Sequence, residues 1–389
     1  MLRVRAARRE SASLESRHIV QDGPAHHLRQ ELRALTGLRG VAATVVALAH
    51  FHPTLPYDLQ EFFLWHDAAV DLFFCLSGFT LSYVYTGTNF QFSPYLIARI
   101  ARIYPLYLVT LIIVGATYTW PVLVNPTTYP ASTSLTDFVL QVLMLNAWPI
   151  IGTGVHWNMQ SWSISIEWFC YILLFPLLLR LKAPRSENVK LLCVIALTAV
   201  SYALFVRFFD ERLTNPELYA AESPWSYWVN LVRGIAGFTT GWIAFSSFEQ
   251  QDEIHTLCTK FSAVIWLCFW AILVLLYFGL ANSHALVFLF PFVVLAATDQ
   301  TSATSRLLGL KALHFLGVIS YSIYLMHFIV FLLFRLAFGV SSTWSIWVYA
   351  ALIIATFGIS VLSYFAIERP ARDAVRSLQG KPADLAARA

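Results

Sequence analysis

The sequence predicts an all-α, polytopic membrane protein, a bundle of about ten transmembrane helices plus one short re-entrant or interfacial segment. Three observations predict it. Of the 389 residues, 58% are apolar and only 12% are charged, against about 45–50% and about 25% in soluble domains. Apolar stretches follow one another from residue 37 almost to the end, several near the ~20 residues that cross a hydrocarbon core. Lysines and arginines gather in particular loops, as the positive-inside rule requires, within a net charge of +4. So little charge cannot coat a globule of 44.0 kDa, which excludes a water-soluble enzyme, a disordered chain and a nucleic-acid binder.

Residues 1–35 are polar and basic, with Arg3, Arg5, Arg8, Arg9, Arg17, Arg29 and Arg33, and no apolar core of signal-peptide type follows the first arginines. They read as a cytoplasmic tail. Apolar stretches follow at 37–52, 67–86, 103–120, 136–150, 161–179, 189–208, 226–246, 261–280, 284–298, 313–334 and 345–366. Charge decides which of them cross. Arg99 and Arg102 precede 103–120 and place that end in the cytoplasm, 121–135 has no Lys or Arg, and Arg180, Lys182, Arg185 and Lys190 mark the next cytoplasmic loop. Only an odd number of crossings fits between them, so the short stretch 136–150 re-enters or lies at the interface. The acidic residues Asp210, Glu211, Glu217 and Glu222 sit outside. Arg306 and Lys311 sit inside, as does a basic tail over 370–389. One transmembrane domain, 36–369, is expected in a cell inner membrane with both termini cytoplasmic. Cys75, Cys170, Cys193, Cys258 and Cys268 are odd in number and lack metal-type spacing, so they read as buried free thiols and no metal site is expected.

An ionisable residue within a span costs about 2.5–3.5 kcal/mol on insertion scales, so each one calls for a reason. Arg39 and His50 are eleven positions apart, about three helical turns, and share a helix face with about 16 Å between them along the axis. Arg39 is either a snorkelling anchor or a ligand contact, and His50 either an interfacial histidine or a reactive one. Arg99 and Arg102, in YLIARIARIYPLY, are neighbours on one face. Two guanidinium forks there can grip the phosphates of a nucleotide-bearing or CoA-like ligand, or simply anchor the helix. Asp71, beside Ser77 and Gly78, and Glu167, one turn after Ser163, read either as site residues or as partners of arginines on other helices. Ser320, Tyr324 and His327 share a face and line either a polar cavity or a hydrogen-bonded packing seam. Arg233 and Glu368 are further near-span charges not separable from helix-end anchors. A phosphate-binding Gly loop, HExxH, CxxC and GxSxG are all absent from the sequence.

Six stretches in this order resemble the membrane-bound acyltransferase 3 family. They are ALTGLRGVAATVVALAHFH (34–52), VDLFFCLSGF (70–79), RIARIYPLY (99–107), QSWSISIEW (160–168), GVISYSIYLMH (317–327) and AIERPAR (366–372). Arg39 and His50 match the family's arginine and histidine with ten residues between, and Arg99 and Arg102 match its RxxR pair. The variant with two adjacent arginines is not present, because Ala98 precedes Arg99.

The resemblance implies O-acylation, commonly acetylation from acetyl-CoA, of a hydroxyl on a polysaccharide or lipid-linked glycan, with acyl-CoA as donor substrate and no permanently bound cofactor. The positions fit it: Arg39, Arg99 and Arg102 on the cytoplasmic side can bind the CoA phosphates, and a deeper polar cluster of His50, Asp71, Glu167 and His327 can handle the acyl group and acceptor. His50 is the expected base, removing the hydroxyl proton as the thioester is attacked, or else a covalent acyl carrier. His52 points to another face. Membrane lipids are expected partners and nucleic acid is not. The rival readings are a transporter or flippase for a glycan or small solute, in which buried charge lines a permeation path, and a receptor or assembly component without chemistry.

Overall fold

The computed structural model describes residues 31–51, 65–87, 89–119, 134–152, 157–209, 224–339 and 344–379. The basic residues before 31, most of the loops 121–135 and 209–225, His52 and the end of the C-terminal tail lie outside them. The described residues from Leu32 onward form one compact unit, and among them every regular element is a helix.

The helices are α1 (Arg33–His50), α2 (His66–Tyr85), α3 (Phe92–Thr119), α4 (Leu135–Val142), α5 (Ser161–Arg180), α6 (Glu187–Phe209), α7 (Pro224–Gln250), α8 (Glu253–Lys260) and α9 (Ser262–Tyr277). A 3₁₀ turn, Ser283–Phe288, leads to α10 (Phe290–Ala296), α11 (Ala303–Leu308), α12 (Lys311–Val318), α13 (Ser320–Phe338), α14 (Ile346–Ser363) and α15 (Arg369–Gln379). Two π-helical turns interrupt the pattern, Cys170–Leu174 inside α5 and Tyr364–Glu368 between α14 and α15.

Six of these helical segments are long and apolar enough to cross a membrane, or seven if the bent pair α8–α9, with its 71° angle, is one span. The ten crossings expected from hydropathy are not borne out. The stretch 284–298 holds a 3₁₀ turn and a seven-residue helix, and 313–334 is divided at Ile319 into α12 and α13. Helices α1 and α7, of 18 and 27 residues, are long enough but less apolar, because they turn polar side chains toward neighbouring helices instead of lipid. Helix α4 has eight residues, about 12 Å of rise, too short to span. Helix α3 begins at Phe92, so Arg99 and Arg102 lie within it and do not precede it as expected.

At the centre, α1 packs on α2, α12 and α13, and α2 packs along α7. Outer faces of the peripheral helices are apolar and exposed, as with Trp347 (80%) and Ile354 (72%) on α14 and Leu267 (68%) on α9, the surface a lipid environment covers. All five cysteines are free. Cys75, Cys170 and Cys258 are buried as expected, whereas Cys193 is half-buried and Cys268 is exposed.

The α2–α7 contact depends on two glycines. A Cβ at Gly78 would lie 1.9 Å from the Phe238 carbonyl oxygen, and one at Gly241 would lie 2.0 Å from that of Cys75. The backbones touch, as small residues permit between membrane helices. Gly78→Ala or Gly241→Ala should therefore push the helices apart at a cost of about 1–3 kcal/mol or more. The expected result is a lower thermal midpoint and less monodisperse protein in detergent. Gly358, with nothing within 4 Å of its Cβ position, is the control whose alanine variant should lose neither.

Candidate active site

Helices α1, α2, α3, α5 and α13 line a common cavity that is open on one side. Three guanidinium groups line it, those of Arg39, Arg99 and Arg102, together with the carboxylate of Glu167. Each arginine is held differently. Arg39 Nη2 donates to Thr80 Oγ1 at 3.3 Å, and that hydroxyl donates to the Leu76 carbonyl at 2.7 Å. The Arg99 guanidinium lies 5.9 Å from the ring centres of both Tyr85 and Tyr171, within reach of the negative ring faces. Arg102 Nη1 is 2.7 Å from Glu368 Oε1.

Glu167 Oε1 accepts two short hydrogen bonds, from Ser77 Oγ at 2.6 Å and from the Tyr171 hydroxyl at 2.5 Å. Short O–H···O contacts of this kind suit a carboxylate acceptor. Tyr324 also lines the cavity. Its hydroxyl donates to the Gln160 carbonyl at 3.0 Å and lies 2.5 Å from Ser163 Oγ.

Beyond Tyr324 lies a group of imidazoles outside the cavity lining. His327 is 5.9 Å from the Tyr324 ring centre and 4.9 Å from that of His50, and His66 is 5.8 Å from His50 on another side. His50 Nδ1 is 2.8 Å from the Val46 carbonyl, and His327 Nδ1 is 3.2 Å from that of Ile323. A carbonyl only accepts, so both Nδ1 atoms carry the proton of the neutral ring and both Nε2 atoms keep a lone pair. The sequence spacing of Arg39 and His50 survives as one helix face, with the arginine at the cavity and the histidine about 16 Å further along α1.

The expected deeper cluster of His50, Asp71, Glu167 and His327 is not one cluster. Glu167 joins the arginines, and His50 joins His327. Asp71 lies elsewhere, in a fork with Arg233, Nη2 to Oδ2 at 2.9 Å and Nε to Oδ1 at 3.2 Å. Asn230 Oδ1 and the Asp67 carbonyl, each at 3.0 Å, take further donors of Arg233, and His284 Nδ1 is 3.4 Å from Asp71 Oδ2. This pair borders only a small gap, separate from the arginine-lined cavity. Ser320 and Tyr324 line the large cavity and His327 does not, so the face they share on α13 serves both places.

Sequence reasoning missed His66, Thr80 and Tyr171. The signal for His66 was its place beside Asp67 at the head of an apolar run, and the two side chains lie 3.7 Å apart. Tyr171 had its i+4 spacing from Glu167. Among the described residues, no three His, Cys, Asp or Glu side chains are grouped to hold a metal ion.

Removing one partner of a buried ion pair costs about 3–5 kcal/mol. Asp71→Asn and Arg233→Met should each therefore depress the thermal midpoint and the folded yield. Glu167→Gln, at a half-buried residue facing the cavity, should leave the midpoint nearly unchanged. Thermal unfolding in detergent compares the three directly.

The sequence pattern of a family described as an acyltransferase domain matches residues 32–365. That range holds all seven expected site residues. A segment of 166 residues is 35% identical to acyltransferase MdmB of Streptomyces mycarofaciens, covering 39% of this chain and 40% of that protein. A segment of 86 residues is 40% identical to protein 2 in the picA locus of Rhizobium radiobacter, covering 21% of this chain and 43% of that one. O-acetyltransferase OatA of Staphylococcus aureus is 23% identical over 366 residues, 87% of this chain and 57% of that protein. The matches thus span roughly 40–57% of these relatives' lengths. No solved structure is similar.

Proposed function

Because the chain belongs to the acyltransferase 3 family, we propose that it is a membrane O-acyltransferase moving an acyl group, acetyl in the first instance, from acyl-CoA to a hydroxyl of a polysaccharide or lipid-linked glycan. The observation that carries this reading is the cavity inside the bundle lined by three arginines and one carboxylate. Guanidinium forks in a partly desolvated cavity suit phosphate oxygens. The long pantetheine arm of CoA is the part that bridges from such a head site toward the histidines.

In this reading Arg39, Arg99 and Arg102 take the CoA phosphates, and Glu167 orients the donor or acceptor through its second oxygen. His50 is the base. Its Nε2 lone pair accepts the proton of the acceptor hydroxyl as that oxygen attacks the thioester carbon. Collapse of the tetrahedral intermediate breaks the C–S bond, and the thiolate takes the proton back from the imidazolium, leaving an ester and free CoA. His327, in contact with His50 and with its own Nε2 lone pair, supports the second ring. Asp71 holds Arg233 and stays outside the chemistry. The arginine end faces the cytoplasm of a cell inner membrane, with both termini on that side.

Full-length protein in liposomes, given radiolabelled acetyl-CoA and cell-envelope glycans, should form a labelled ester that mass spectrometry identifies as acetylated glycan. Glycan crossing the bilayer without a new ester would favour transport instead. A positioned general base supplies about 10²–10⁴-fold, so His50→Gln should lower ester formation by that factor while acetyl-CoA binding persists. Full activity in that variant would remove His50 as base.

Orientation has its own check. Cysteines placed at 181–190 should react with a membrane-impermeant maleimide only after the cytoplasmic side is opened. Labelling of intact cells would reverse the assignment.

A further inference from the structure

Arg102 reaches the cavity with one nitrogen already engaged. Its Nη1 lies 2.7 Å from Glu368 Oε1, where the Glu368 side chain is fully buried and that of Arg102 keeps 18% of its surface exposed. Ser322 Oγ donates to the other carboxylate oxygen at 2.8 Å. Arg372 Nη1 is 3.9 Å from Oε1, and Arg372 is itself steadied by a hydrogen bond to the Tyr364 hydroxyl at 3.1 Å. Helix α3, helix α13 and the segment 364–372 thus converge on one carboxylate. Glu368 closes the second π-helical turn, three residues past the end of the matched region 32–365.

We propose that Glu368 is a positioning residue for the acyl donor: it fixes the guanidinium of Arg102 so that the remaining N–H donors face the cavity and take a donor phosphate. The proposal rests on the acyl-CoA reading above. A free arginine side chain loses rotamer freedom when it captures a ligand, and a planar fork held beforehand loses less. The carboxylate does not cancel the site's attraction for anions. Two guanidinium groups, of Arg102 and Arg372, flank its single charge, and both oxygens are occupied by protein donors. The competing explanation is a purely structural tie between α3 and the C-terminal helix.

Equilibrium binding of radiolabelled acetyl-CoA to the full-length protein in detergent, with the thermal midpoint measured in parallel, separates the two. Glu368→Gln should weaken acetyl-CoA binding about tenfold. Arg102→Gln should weaken it to the same degree, and the double variant little further, because one set of donors is lost in every case. Exchanging the pair, Arg102→Glu with Glu368→Arg, should recover much of the midpoint and none of the binding. A structural tie would recover both.

Where Glu368→Gln does not fold, Ser322→Ala and Glu368→Asp carry the test, with an expected weakening of a few-fold. Unchanged acetyl-CoA affinity in the folded Glu368 and Ser322 variants, or binding restored by the exchange, overturns the proposal. Arg39→Gln and Arg99→Gln distinguish the deeper failure. If they weaken binding while the Glu368 and Ser322 variants do not, only the positioning role falls. If they too leave acetyl-CoA binding unchanged, the acyl-CoA reading itself is wrong.

Discussion

A guanidinium group inside an apolar bundle must find a carboxylate, a carbonyl or an aromatic face, because leaving it unpaired away from water costs several kcal/mol. Four arginines of this chain are placed under that constraint, and their partners determine which helices are neighbours. Arg233 binds α7 to α2 through Asp71. Arg39 ties α1 to α2 through Thr80. Arg102 ties α3 to the C-terminal turn through Glu368, and Arg99 rests between rings from α2 and α5. The first pair is closed, with both side chains 3% exposed. The other three arginines face a common cavity. The same energetic demand thus produces a lock in one place and a charged cavity lining in another, and exposure to the cavity decides between them.

The second organising feature is distance along the bundle. Helices α1 and α13 each carry one residue set at the cavity and another beyond it, Arg39 then His50, and Tyr324 then His327. Tyr324 stands between the two levels with its hydroxyl tied to Gln160 and Ser163. The guanidinium groups at the cavity and the paired imidazoles of His50 and His327 thus stand at different levels of the bundle.

Both π-helical turns carry a side chain that acts on the cavity. The first contains Tyr171, which donates to Glu167, and the second ends at Glu368, which holds Arg102. An inserted residue rotates everything after it relative to a regular helix, a device found often at functional positions. A strict 3.6-residue reading of either helix misplaces the residues beyond the turn.

The part of the structure that could be read in the sequence was local. The apolar runs specified helices, and the spacing of Arg39 and His50 put them on one face of α1, because helical periodicity depends only on the chain's own backbone. The RxxR pair was likewise correctly placed side by side. The partners were not legible. Asp71 meets Arg233 across 162 positions and Arg102 meets Glu368 across 266, pairings that exist only once helices far apart in the chain have packed. The count of crossings failed because an apolar run does not say whether its helix stays unbroken, and 284–298 and 313–334 are each divided where the chain turns against its neighbours. Composition and periodicity therefore determined that this is a helical membrane protein and which residues share a face. Only the tertiary structure decided which charges neutralise each other and which remain turned toward the cavity, because desolvation and pairing depend on what surrounds a side chain in space.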